Sequence, residues 1–188
     1  MFTKMAAQAK TKRHEEIVEE IAIPENVQVS LSGAIVSVKG QKGELKREFA
    51  YPGVSTEKTN NKIVLKTSEV TKKKRAVIGS FVAHLNNMFK GVTTGFKYKL
   101  KIVYSHFPMT TKIVGNHVEI SNYLGEKSPR RAKIFGNVKV TAGKEEITVE
   151  GTNVEEVGQT AANIEQKTRV RHRDSRVFQD GIYLVGTE

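Results

Sequence analysis

The chain has 188 residues, with 31 Lys and Arg against 20 Asp and Glu, a formal charge of +11 and no cysteine. That length accommodates one domain or two small ones, and the missing cysteines exclude a disulfide framework, thiolate metal sites and cysteine nucleophiles. A chain this basic repels itself unless salt or a polyanion is present, so the charge points to an anionic partner.

Residues 1–20 begin with an acid-free basic stretch, MFTKMAAQAKTKRH, followed at once by EEIVEE. The stretch lacks the apolar run of a secretory signal and is read as an N-terminal extension, mobile or helical. VQVSL and AIVSVKG then alternate with a two-residue period and read as strands. Gly40 and Gly43 bracket a hairpin turn, after which ELKREF returns. KIVLKT forms a further strand and leads to Thr71, an expected helix N-cap. The helix aligns Val77, Ile78, Phe81, Val82, Leu85, Met88 and Phe89 on one stripe, with Gly91 placed to end it.

Its first turn carries Lys72, Lys73, Lys74 and Arg75. Cations are unfavourable at the positive end of a helix dipole, so stability alone does not select them. The cluster is either a solvated helix end or a phosphate contact, where free backbone N–H groups and side-chain charge act together.

GFKYKLKIVYSHFP alternates cleanly, with Phe96, Tyr98, Leu100 and Ile102 facing inward and Lys97, Lys99 and Lys101 outward. It reads as a strand over 96–104 connecting two halves, and its lysines either protect an edge or present a basic stripe.

The second half repeats the plan of the first. HVEISNYLGEK, AKIFGNVKV and EEITVEG supply strands and turns, and Asn153 with Glu156 resembles a capping box. Val154, Val157, Ala161 and Ile164 form the buried stripe of a second helix. Ile63, Val64 and Leu65 correspond to Ile147, Thr148 and Val149, and Ile78, Gly79, Val82 and Leu85 to Val157, Gly158, Ala161 and Ile164. The expected architecture is α+β: two tandem repeats of a small antiparallel sheet packed on one helix, covering 21–95 and 105–188.

Charge is distributed unevenly along this plan. No carboxylate occurs between Glu69 and Glu119, and a second acid-free span between Glu126 and Glu145 carries Arg130, Arg131 and Lys133. Solvated surfaces ordinarily mix signs, so single-sign spans imply a partner that supplies the negative charge. Near the C-terminus Lys167, Arg169, Arg171 and Arg173 occupy alternate positions, with Arg176 beyond. In an extended backbone these would line one edge at about 6.6 to 6.8 Å intervals, as a row for phosphates. The other reading is a helix end followed by a solvated basic turn.

Signs of catalysis are weak. The histidines at 14, 84, 106, 117 and 172 form no metal-binding spacing, and neither a glycine-rich nucleotide motif nor a Walker motif occurs. His172 beside Asp174 lacks any accompanying nucleophile, and Asp180-Gly181 has the chemistry of a tight turn before IYL. No apolar run approaches the roughly 20 residues needed to span a bilayer, since even AVIGSFVAHL is interrupted by Ser80 and His84. The expectation is a non-enzymatic nucleic-acid-binding protein without cofactor, metal or membrane partner.

IPENV at 23–27, KGQKGELKREF at 39–49, HLNNMFKGVTTGFKYKL at 84–100, VYSHFP at 103–108, NYLGEK at 122–127 and RDSRVFQDGIYL at 173–184 resemble protein six of the large ribosomal subunit, in its archaeal and eukaryotic branch. The resemblance runs from Ile21 onward and is most specific at Gln166, Val170, Arg173, Arg176, Phe178 and Asp180 through Leu184. Thr187 departs from the basic residue with which the pattern ends, and the N-terminal extension falls outside it.

The resemblance implies two tandem α/β units and no catalytic activity. It further implies binding to large-subunit rRNA near the sarcin-ricin loop and the base of the factor-binding stalk, beside other ribosomal proteins and where translational GTPases dock. It assigns RNA contact to Lys167, Arg169, Arg171, Arg173 and Arg176, with Arg130, Arg131 and Lys133 as second candidates, in cytoplasmic ribosomes. A chromatin or nucleoid protein or a free RNA chaperone would share the charge. The chain lacks a helix-turn-helix, zinc-finger or wedge motif and an RNP-like aromatic pattern.

Overall fold

The structure, a computed structural model, describes residues 17–59, 61–67 and 71–187. In the first unit, β1 (Ile17–Ala22), β6 (Lys62–Thr67) and β5 (Val54–Thr59) form one antiparallel sheet in the order β1-β6-β5. The hairpins of β2 (Gln28–Ser32), β3 (Ile35–Gly40) and β4 (Gly43–Glu48) form another. Helix α1 (Lys72–Thr93) packs on β1, β3 and β4. Val36, Val38, Ile63, Leu65, Ile78 and Leu85 close this core, each at most 2% exposed.

The second unit follows the same plan. The sheet β10-β9-β8 is built from β10 (Arg130–Lys133), β9 (His117–Ser121) and β8 (Thr110–Val114). The sheet β11-β12-β7-β13 is built from β11 (Lys139–Ala142), β12 (Glu146–Gly151), β7 (Phe96–Val103) and β13 (Gly181–Thr187). Helix α2 (Val154–Lys167) covers β7, β10, β12 and β13, burying Val157, Thr160, Ala161 and Ile164. The α+β architecture with tandem repeated units is therefore as expected.

Both expected helix starts are present. Thr71 Oγ1 accepts from Lys74 N at 3.2 Å, and Asn153 Oδ1 accepts from Glu155 N at 3.1 Å. Glu156 departs from a capping box: its carboxylate takes the Asn153 side-chain amide at 3.3 Å and Asn137 N at 3.0 Å, which ties α2 to the turn before β11.

Several elements differ from the expectation. β7 lies between β12 and β13 in the second unit's sheet, so it is an interior strand of that unit and its lysines protect no edge. Its facing is as read, with Phe96, Leu100 and Ile102 buried, and Lys97 pairs with Glu150 at 2.9 Å across the neighbouring strand. Ile17–Glu20, placed in the extension, belong to β1, where Ile21 pairs with Ile63 and Glu20 with Lys62 at 2.7 Å. Residues 1–16 lie outside the described residues.

Gly91 does not end α1. The helix continues to Thr93, and Gly95, at φ +75°, takes the left-handed conformation just past the cap, where its N–H reaches back to Lys90 O at 3.0 Å. Gly91 is instead a point where the two units touch, because a Cβ there would stand 2.0 Å from the carbonyl oxygen of Thr152. Helix propensity favours alanine over glycine by about 1 kcal/mol, but overpacking costs about 1–3 kcal/mol, and here the atom met is backbone rather than the end of a flexible side chain. Gly91→Ala is therefore expected to lower stability by about 1–2 kcal/mol in urea unfolding. Gly79→Ala, on the same helix with open space around it, should raise it by several tenths of a kcal/mol.

Candidate nucleic-acid interface

The surface around the end of α2 begins with a buried polar joint. Thr168, the helix C-cap, is 2% exposed. Its carbonyl accepts from Tyr123 OH at 2.6 Å, and its hydroxyl accepts from Ile182 N at 3.0 Å while donating to Glu165 O at 3.1 Å. One residue thus fastens the helix end to β13 and to the turn Tyr123–Gly125.

Arg130 closes the joint from outside. Its Nε and Nη2 donate to the two Glu126 oxygens at 2.8 and 2.5 Å, its Nη1 donates to Lys167 O at 2.6 Å, and its guanidinium lies 4.1 Å from the Tyr123 ring centroid. The hydrogen bond from Arg130 lowers the Glu126 carboxyl below its ordinary pKa, against the opposing effect of burial. Bound bidentately and at a helix C-terminus, Arg130 holds the surface together.

Arg130, Arg131, Gln166, Lys167 and Arg171 line an open cleft of about 310 Å³ without any carboxylate. Arg131 reaches Glu119 through Nε at 2.8 Å with its side chain 67% exposed, and Lys133 is exposed on the same strand.

The alternating row is not a strand. Lys167 is the last residue of α2, and residues 169–180 have no regular structure. His172 takes a left-handed φ of +60°, which breaks the alternation between Arg171 and Arg173. Arg171 thereby joins the cleft with Arg131 and Lys167, while Arg169 and Arg173 line a neighbouring hollow with Val170 and Phe178. Arg176 sits in a turn whose backbone is held by Asp174, with Arg176 N donating to Oδ1 at 2.9 Å and Phe178 N to the Asp174 carbonyl at 2.9 Å. Among the described residues, Lys167, Arg169, Arg171, Arg173 and Arg176 have no carboxylate partner.

The sequence reading missed what locks this segment. Asp180, 1% exposed, accepts at Oδ1 from the backbone N–H groups of Ser105 and of His106, the latter at 3.2 Å, and its Oδ2 lies 2.6 Å from His106 Nδ1. Phe178 stacks on the His106 ring at a centroid distance of 4.7 Å, and the Arg173 guanidinium lies 4.7 Å from the Phe178 ring centroid. Burial pushes the Asp180 carboxyl up, but the hydrogen bonds from Ser105 and His106 outweigh it and leave it below its ordinary value. An ordered chain from Asp180 through His106 and Phe178 thus presents Arg173. In sequence, Asp180-Gly181 signals only a turn, and VYSHFP carries the partners without any sign that the two segments meet.

Lys72, Lys73, Lys74 and Arg75 occupy the first turn of α1 in the other unit, in a turn that contains no acid. No metal-binding group of His, Asp or Glu occurs among the described residues, and none of their helices is long and apolar enough to cross a membrane.

A family model described as Ribosomal protein L6 matches residues 23–95 and 107–181, one stretch in each unit. The chain belongs to the ribosomal protein L6 family. Relatives named large ribosomal subunit protein uL6 include one from Methanothrix thermoacetophila, 50% identical over 91% of this chain and 97% of that protein. Another, from Methanobrevibacter smithii, is 51% identical over 92% and 97%. The uL6 of Saccharolobus solfataricus is 49% identical over 90% and 94%. The first matched stretch of the L6 family contains α1 and the second contains α2, and the locked segment 169–180 lies within the second.

Proposed function

We propose that the chain is a structural, non-catalytic constituent of the large ribosomal subunit in the cytoplasm, held on large-subunit rRNA by the surface at the end of α2. Lys167, Arg169, Arg171, Arg173 and Arg176, with Arg131 and Lys133 beside them, neutralise phosphates and release counterions. Such contacts fix position and orientation and read little sequence. The observation that carries this reading is that Lys167, Arg169, Arg171, Arg173 and Arg176 are exposed, have no carboxylate partner among the described residues, and follow a helix end and a segment fastened by Arg130, Asp180 and His106. A rigid array loses little conformational entropy on binding, which a loose basic tail would not achieve.

The finer placement extends the family resemblance: rRNA near the sarcin-ricin loop and the stalk base, with other ribosomal proteins adjoining and translational GTPases docking nearby. Lys72, Lys73, Lys74 and Arg75 are a second set for RNA, their charge adding to that of the helix N-terminus, where Thr71 already takes the N–H groups of Lys74 and Arg75.

Binding to large-subunit rRNA, duplex DNA and unstructured RNA across a salt series tests the proposal. Large-subunit rRNA is expected to bind most tightly at every salt concentration. Equal affinity for all three would assign the surface to a general nucleic-acid binder such as a nucleoid protein or RNA chaperone.

A further inference from the structure

A second cationic cleft lies where the two units meet. It encloses about 780 Å³ and draws Lys42 and Lys90 from the first unit and Lys97 and Lys139 from the second, with Glu150 as its one carboxylate. Lys97 bonds Glu150 at 2.9 Å, and Lys139 faces Glu150 in register across β11 and β12. The hydrogen bond and charge of Lys97, followed by the charges of Lys139 and Lys42, hold the Glu150 carboxyl below its ordinary pKa. One carboxylate among four ammonium groups leaves the cleft strongly positive.

Its walls are fixed. Lys42 donates through Nζ to the carbonyl of Thr94 and through its backbone N to Val92 O at 3.0 Å, which pins the β3–β4 turn to the end of α1. The Lys42 side chain lies over Gly95, where a Cβ would stand 3.1 Å from its Nζ, and the close approach of Gly91 to Thr152 brings the two units together. Phe96 is the one large apolar lining residue, and Lys90 lies 5.5 Å from its ring centroid.

We infer that this junction cleft is a second RNA site, binding sugar-phosphate backbone that bridges the two units. A nucleic-acid backbone supplies a regular run of phosphates to four ammonium groups set around one carboxylate, whereas Phe96, the one large apolar residue of this lining, sits beneath Lys90 and gives a peptide no apolar anchor. The site is separate from the first: Thr152 precedes the start of α2 and Lys167 ends it. The 14 residues of the helix set the two sites about 20 Å apart. One phosphate cannot serve both, so the RNA contacts them with different stretches of backbone. Clamped at both ends of α2 and across the junction, the two units are held by RNA as one body.

The inference rests on the proposed binding to large-subunit rRNA. Its test compares the full chain, Lys90→Gln/Lys139→Gln and Arg171→Gln/Arg173→Gln on deproteinised large-subunit rRNA, by salt-dependent affinity and hydroxyl-radical footprinting. Circular dichroism confirms that each variant is folded.

The cleft variant is expected to lower the slope of log K against log salt by about 1.5, at 0.7–0.9 per phosphate contact. It should also lose protection over a stretch different from that lost by the arginine variant. An unchanged slope and footprint, or loss at the same nucleotides as the arginine variant, overturns the inference while leaving the rRNA reading intact. Unchanged rRNA binding with lost capture of polyglutamate overturns it in favour of an acidic protein partner. Absence of rRNA binding by the unaltered chain overturns both.

Discussion

Reversing Arg169, Arg171 and Arg173 to Glu is expected to weaken binding to large-subunit rRNA by at least a thousandfold while the isolated chain stays folded. All three side chains are exposed and lack a carboxylate partner among the described residues. The joint beneath them is made by Thr168, Arg130 and Asp180, none of which is altered. At about 1.5 kcal/mol for each charged hydrogen bond lost, three such losses correspond to roughly a thousandfold in affinity. The new negative charges add repulsion that increases as salt falls. Arg173 also gives up its place over Phe178, an exposed contact of about 0.5–1 kcal/mol, which leaves the fold intact. Filter binding between low and moderate salt measures the loss, and near-UV circular dichroism reports the fold.

Asp180→Ala should act oppositely, on stability first and on binding through it. The carboxylate serves Ser105 N, His106 N and the His106 ring. Removing it leaves those donors without their acceptor at a cost of about 3 kcal/mol, and the melting temperature should fall by roughly 6–12 °C. Affinity for rRNA should fall as well, because Phe178 and Arg173 lose the stacked base on which they rest.

The Asp180 carboxyl is depressed in the folded state. Between that value and the unfolded value of about 3.9 the unfolded chain binds the extra proton. Its contribution is therefore complete above the unfolded value and is lost as pH falls through the folded one. Asp180→Asn should accordingly be less stable than the unaltered chain at neutral pH, with the gap closing in acid. A gap that widens on acidification would reverse the assigned role.

The repeated plan was legible because helix stripes and caps are local. Leu85 and Ile164 recur on buried faces, and Thr71 and Asn153 cap helices wherever the rest of the chain lies. β5 and β8 were not legible, since VSTEKT and TTKIV contain few apolar residues and become strands through pairing with β6 and β9. β1 was hidden by its glutamates, which face Lys62 and solvent while Ile21 meets the core.

At the interface, residue types were readable and geometry was not. A run of alternate cations suggests a strand, yet the left-handed turn at His172 distributes them over two hollows. Arg130 looked like its neighbour Arg131, and only the fold brings Lys167 O to its guanidinium. His106 and Asp180 are 74 residues apart, a separation at which pattern carries no information about contact.

The most direct measurement is sedimentation of the intact protein and its Arg169, Arg171 and Arg173 charge-reversal variant with large ribosomal subunits at low salt. The intact protein is expected to travel with the subunit while the folded variant remains in the supernatant. Intact protein left in the supernatant, or a variant that sediments with the subunit as the intact protein does, would show that the surface at the end of α2 is not what holds this chain to the ribosome.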